Sequence, residues 1–165
     1  MEGFTTSDSD SCDSEQHALK TLDLSRAGLG AEEVDRHLQG CVRDEPKRAE
    51  NVENLILSEN RLLAVPACVK SFDNLRVLDV SGNRLKRLPE YLARCHLTSL
   101  IARNNGLRND ALPKSFSTSI KELNLSGNDL TDFPPQVLDM PSLKYLYLGG
   151  NKIESIPDDV IRVSG

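Results

Sequence analysis

The sequence has no Trp, and its three Tyr and four Phe make up only 4% of 165 residues, so its core must be built from aliphatic side chains. No apolar run approaches the ~20 residues of a membrane span. The opening Met-Glu-Gly-Phe-Thr-Thr-Ser lacks the features of an export signal. Cys12, Cys41, Cys68 and Cys95 lie 29, 27 and 27 residues apart, with no C-x-x-C pair and no His at zinc-finger spacing. That pattern predicts free, reduced thiols, and the three His stand alone as surface or boundary residues. A G-x-S-x-G motif, a phosphate loop, a carboxylate pair and a Cys with a His partner are all missing. No catalytic residue, metal or cofactor is therefore expected. Lys and Arg are absent from residues 1–16, which hold Glu2, Asp8, Asp10, Asp13 and Glu15. The remaining residues balance 20 acids against 20 bases, so the net charge of −5 lies in the N-terminal stretch. A neutral body with an acidic tail argues against nucleic-acid binding driven by phosphate contacts. A cytoplasmic protein with no membrane contact is expected.

What is present is a repeat. From residue 52 the pattern L-x-x-L-x-L-x-x-N-x-L recurs as Val52-Leu55-Leu57-Asn60-Leu62, Leu75-Leu78-Val80-Asn83-Leu85 and Leu97-Leu100-Ala102-Asn105-Leu107. It returns as Ile120-Leu123-Leu125-Asn128-Leu130 and Leu143-Leu146-Leu148-Asn151-Ile153, with starts 23, 22, 23 and 23 residues apart. Each unit runs on into an apolar-Pro step: Val65-Pro66, Leu88-Pro89, Leu112-Pro113, Phe133-Pro134 and Ile156-Pro157. In x-L-x-L-x the two Leu alternate onto one face of a short strand and their neighbours onto the other. Asn60, Asn83, Asn105, Asn128 and Asn151 suit a tight turn, where a buried amide can bond the main chain of adjacent repeats as a ladder. Pro fixes φ and withholds a donor, which predicts an irregular or 3₁₀ return. One repeat cannot bury enough surface alone, so stability is shared between neighbours.

These motifs resemble the leucine-rich repeat family, in its intracellular 23-residue form with an L-P step. Variable stretches such as Leu100-Ile101-Ala102-Arg103-Asn104-Asn105 and Leu148-Gly149-Gly150-Asn151 look like a subfamily of animal proteins, the leucine-rich-repeat-containing protein fifty-eight type. The resemblance spans about residues 19–163 and implies an α/β solenoid with a parallel sheet on its concave side and a mostly 3₁₀ or irregular convex side. That subfamily continues with more repeats and a Cys-rich region.

The chain divides into three parts on this reading. Residues 1–16 form an acidic, Ser-rich tail too poor in apolar residues to fold. Thr5 and Ser7 each have Asp three positions on, a pattern open to acid-directed phosphorylation, although a plain solvated tail is the simpler reading. Residues 17–51 form a degenerate capping repeat, Leu19-x-x-Leu22-x-Leu24-x-x-Ala27-x-Leu29, with a short amphipathic helix over 31–38 that turns Val34 and Leu38 inward. Arg43 to Glu50 then reads as a charged loop. Residues 52–165 form five repeats, the last uncapped and exposing one flank of Leu146, Leu148 and Ile153, as in a truncated or fragmentary product.

Function in this fold is expected at the x positions of the concave strands. The candidates are Arg76, Asp79, Ile101, Arg103, Asn124, Tyr145 and Tyr147, since Tyr and Arg are enriched at binding hot spots. The resemblance implies a non-catalytic adaptor or scaffold, monomeric, whose partners are proteins. Two alternatives stand beside it: substrate recognition in a ubiquitin-ligase complex, for which no F-box-like or elongin-binding segment is visible, and regulation of a small GTPase or phosphatase.

Overall fold

A computed structural model describes residues 20–161, and the acidic tail with Thr5 and Ser7 lies outside them, as do residues 162–165. Six strands of three residues each run in sequence order: β1 (Thr21–Asp23), β2 (Asn54–Ile56), β3 (Val77–Asp79), β4 (Ser99–Ile101), β5 (Glu122–Asn124) and β6 (Tyr145–Tyr147). They form one parallel sheet, each paired only with its neighbours in the sequence. Register is uniform: Leu22, Leu55, Leu78, Leu100, Leu123 and Leu146 sit one above the next. The fold is a leucine-rich repeat solenoid of the kind the resemblance implies.

The strands are short because a turn closes each of them two residues on. Arg26, Glu59, Gly82, Asn104, Gly127 and Gly150, the residues before each turn's end, all take positive φ between 53° and 71°. Gly adopts that region freely and Asn tolerates it, whereas Arg26 and Glu59 hold it against their own Cβ sterics. At Gly127 the demand is double, since a methyl group there would run into the Asn104 carboxamide.

Beneath the turns runs the asparagine ladder. Asn83 donates to the carbonyls of Leu57 at 3.0 Å and Val80 at 3.0 Å, and accepts from Leu62 N–H at 3.0 Å. Asn60 accepts from Leu29 N–H, Asn105 from Leu85, Asn128 from Leu107 and Asn151 from Leu130. Each amide therefore closes its own turn and ties down the repeat before it. Asn60, Asn83 and Asn128 are buried, so these bonds work where water cannot replace them.

Inward side chains of both strand positions stack into one core: Leu55, Leu78, Leu100 and Leu123 are fully buried, as are Leu57, Val80, Ala102 and Leu125. The return limbs carry 3₁₀ turns at Ala67–Ser71, Glu90–Arg94, Asn109–Ala111 and Pro135–Asp139. Pro66, Pro89 and Pro134 each stand immediately before one of them, supplying a fixed extended entry. The core is not purely aliphatic: Phe72, Phe116 and Phe133 are buried. All three lie on the limbs between strands rather than in the sheet.

One expectation is corrected. The stretch from Arg43 to Glu50 is helical rather than a loop: α1 spans Ala31–Asp44 and α2 spans Pro46–Asn51. Glu45 between them has φ −130° and ψ 59°, because a residue preceding Pro is pushed out of the helical region. Pro46 then opens α2, where a missing N–H costs nothing. Ala49 is buried and Arg48 pairs with Glu45 at 3.1 Å, so the charges lie outward on a helix rather than on a loop. Val34 and Leu38 of α1 are fully buried. At the far end, α3 (Asp158–Ile161) is a single turn begun at Pro157, with Val160 partly buried against the core.

Candidate functional site

The outward residues of the strands form two rows. Register aligns Asp23, Ile56, Asp79, Ile101, Asn124 and Tyr147 in one, and Thr21, Asn54, Val77, Ser99, Glu122 and Tyr145 in the other. Four of the seven candidate residues, Asp79, Ile101, Asn124 and Tyr147, are therefore neighbours across consecutive strands roughly 4.8 Å apart. Arg103 joins them. It follows Ile101 by two residues and lines, with Asp79, Ile101 and Asn124, a shallow depression edged by Glu59 and Asn104. Tyr145 lies in the adjoining row beside Glu122 and, with Tyr147 on the same strand, is among the most exposed large apolar side chains, at 59% and 44%. Arg76 is set apart: it precedes β3, and its guanidinium donates to the His96 carbonyl at 3.3 Å.

Two of these residues already have local duties. The Asp79 carboxylate accepts from Ser81 N–H at 2.9 Å, and the Asn124 side-chain oxygen accepts from Ser126 N–H at 3.1 Å. Asp23 does the same with Ser25 at 2.8 Å, and that bond holds its carboxyl below the usual range. An Asx-Ser turn thus ends β1, β3 and β5. Asp79 and Asn124 offer a partner only what their turns leave over, whereas Ile101, Arg103, Tyr145 and Tyr147 have no such engagement among the described residues. The second row is likewise partly closed, for Ser99 is buried and donates to Glu122 at 3.1 Å.

Sequence reasoning missed the Asx-Ser turns, although D-x-S at 23–25 and 79–81 and N-x-S at 124–126 were visible. It also missed a cluster on the convex side. Cys68 donates to Asp35 at 3.0 Å, and burial, with that bond, pushes its thiol up to about 12. Tyr91 donates to the Pro66 carbonyl at 2.8 Å, and burial raises its phenol. Burial also raises Cys95 and Cys41. Thiols shifted upward are poor nucleophiles. Cys41, Cys68 and Cys95 are unpaired. Among the described residues no His, Cys, Asp and Glu group could hold a metal ion, and no helix is long and apolar enough to cross a membrane.

Comparisons agree with this geometry. Residues 118–160 match the family described as leucine-rich repeats in two copies, and residues 74–95 match the single leucine-rich repeat. Leucine-rich repeat-containing protein 58 of Xenopus laevis is 36% identical over 73% of this chain and 34% of its own length. The protein of the same name from Homo sapiens is 37% identical over 72% of this chain and 34% of its own length. The chain thus spans about a third of these curated relatives. Among solved structures, a leucine-rich repeat protein of Leptospira interrogans superposes with a TM-score of 0.59 at 25% identity, covering 72% of this chain and 31% of that one. Another, from Bacteroides eggerthii, gives 0.61 at 16% identity over 88% and 29%, a likeness of fold alone. Neither matching family is an enzyme family, and leucine-rich repeats in general mediate contacts between proteins.

Proposed function

We propose that this chain, built of leucine-rich repeats, is a protein-recognition module that takes its partner on the concave face, in the manner of a cytoplasmic adaptor or scaffold. The observation that supports it is the pairing of Tyr145 and Tyr147, exposed on one strand, with the open row through Ile101 and Arg103. Exposed Tyr and Arg beside an aliphatic side chain offer large contact area at small conformational cost. Unpaired thiols support a reducing compartment. Six strands give a strip roughly 25–30 Å long, enough to hold an extended segment or one edge of a folded partner. Partner contact through the concave residues rather than the convex ones is the core of the reading.

A photo-crosslinking amino acid placed at Asn124, between Ile101 and Tyr147, tests it in cells. The expected result is a discrete adduct that is absent from a convex control at Lys114 and lost when Tyr145 and Tyr147 are replaced by Ala. Equal labelling from Asn124 and Lys114, or an adduct indifferent to the two Tyr, would overturn the concave-face reading.

A further inference from the structure

A second surface lies where the chain leaves the strands. After each ladder Asn the backbone turns down the flank of the solenoid, and residues at equal positions in successive repeats stack. Arg84 N–H bonds to the Leu62 carbonyl at 2.9 Å and Lys86 N–H to the Leu63 carbonyl at 3.0 Å. These bonds set Arg84 beside Arg61 and Lys86 beside Leu63. Arg87 follows, and all four cations are exposed. Among the described residues none of the four forms an ion pair, whereas Arg108 and Lys152 on the same flank both do. In the middle of the cluster Leu63 is 54% exposed, at the edge of a depression shared with Ala31, Arg36 and Arg61.

We propose that this flank is a second interaction surface, taking a short acidic segment of a partner protein that carries one apolar side chain. Carboxylates of the segment lie over Arg61, Arg84, Lys86 and Arg87, and its apolar side chain enters the depression against Leu63. Arg87 donates to the Asp110 carbonyl at 3.5 Å, but the side chains of Arg61, Arg84 and Lys86 make no hydrogen bond or ion pair among the described residues, and like charges gathered on adjacent repeats repel unless an anion joins them. The boundary of the patch fixes the length of the occupant. Glu32 and Glu33 line the depression with Arg61 and Leu63 and close the patch on that side, and Asp110 and Asp129 share a depression with Lys86 and close it on the other. A cationic field about two repeats wide accommodates roughly three or four extended residues. A nucleic-acid strand or an anionic membrane would extend past it onto those carboxylates, and beyond residue 16 the chain supplies no net positive charge to compensate. Leu63 adds a requirement that a bare polyanion does not meet.

The test is an NMR titration of the full chain with the peptide Asp-Leu-Asp-Glu at low ionic strength. Amide shifts are expected at Arg61, Leu63, Arg84, Lys86 and Arg87, with affinity falling about tenfold when Arg61 and Arg84 are both changed to Glu, and falling again with added salt. Replacing the peptide's Leu by Ser, or making Leu63→Ser, weakens binding severalfold, while Tyr147→Ala leaves it unchanged, which separates this surface from the concave face. All the substituted side chains are exposed, and circular dichroism of each variant checks the fold. Absence of shifts on the flank, indifference to Leu63, or equal or tighter binding of short oligothymidylate or phosphatidylserine vesicles would overturn the proposal.

Discussion

At the scale of the residue, the ladder asparagines do more per side chain than any other group. Asn83 serves three carbonyls and one N–H from two repeats, all at 3.0–3.1 Å and all shielded from water. Asn83→Ala strands the Leu62 N–H and the carbonyls together, and each buried unsatisfied group costs about 1–3 kcal/mol. A loss of about 3 kcal/mol in chemical denaturation is expected. Asn151→Ala, at a half-buried site, should cost about half as much. Glu59 presents the opposite case, an ordinary residue held at φ 57°. Glu59→Gly relieves a strain of about 1–2 kcal/mol but adds freedom to the unfolded chain. The net expectation is a gain of about 0.5 kcal/mol, read as a small rise in Tm. The convex thiol sets an alkaline limit. Cys68 ordinarily titrates near 9 and is held at about 12, so between those values the unfolded chain loses a proton that the folded one keeps. By linkage, stability is fully present below pH 9 and falls as pH rises through that window. Cys68 is only half-buried, and solvent screening keeps the slope below its full linkage value. Urea midpoints measured from pH 8 upward for the wild type and Cys68→Ala should converge as the pH rises, since only the wild type carries this term.

Elements show where the sequence was readable and where it was not. The strands, their register and the ladder follow from a period that repeats five times, because each inward Leu and each Asn occupies a position that only one geometry satisfies. The segment between Arg43 and Glu50 was opaque for a physical reason. Its charges outnumber its apolar residues, and the small side chain of Ala49 suffices to anchor α2. Pro46 reads as a breaker in isolation, yet here it ends one helix at Glu45 and begins the next. The candidate site was half legible. Alternation correctly placed Asp79, Ile101, Asn124 and Tyr147 in one row, but it could not show that Asp79 and Asn124 turn inward on Ser81 and Ser126. The flank cations were invisible because they come from different repeats at positions the strand pattern ignores. Helix α1 carries its own prediction. Leu38 is fully buried in the helix that packs over the first repeats, and Leu38→Ala should cost about 2–4 kcal/mol. If α1 folds as one unit with the sheet, far-ultraviolet and near-ultraviolet transitions of that variant will still coincide.

Taken as a whole molecule, the solenoid is a stack in which each repeat touches only its neighbours, so stability depends on position along the axis. The interior repeats bury both flanks of their strand leucines, and Leu78, Leu100 and Leu123 are entirely covered. In the last repeat Leu143, Leu146, Leu148 and Ile153 are only partly buried. Ile156 is 61% exposed, although its equivalents Val65, Leu88 and Phe133 are buried. The main chain shows the same asymmetry among the described residues: Leu125 N–H bonds to the Tyr147 carbonyl and Gly127 N–H to that of Gly149, whereas the equivalent N–H groups of Leu148 and Gly150 meet no strand carbonyl there. A chemically identical cut should therefore cost different amounts at the two places. Leu100→Ala removes a side chain packed on every side and leaves a cavity, worth about 3–4 kcal/mol, whereas Leu148→Ala removes one with water already on one flank and should cost about 1–2 kcal/mol. Hydrogen exchange provides the companion measurement on the unmodified chain. Amides of β3 and β4 should open only with global unfolding, and those of β6 and its turn should exchange through local fraying at lower free energy. Equal costs for the two Leu variants, with uniform protection from β3 to β6, would mean that the stack behaves as one cooperative block and that Tyr145 and Tyr147 sit on an edge as rigid as the centre. A gradient would place the exposed Tyr145 and Tyr147 on the most yielding strand, where any partner that bound them would also order β6.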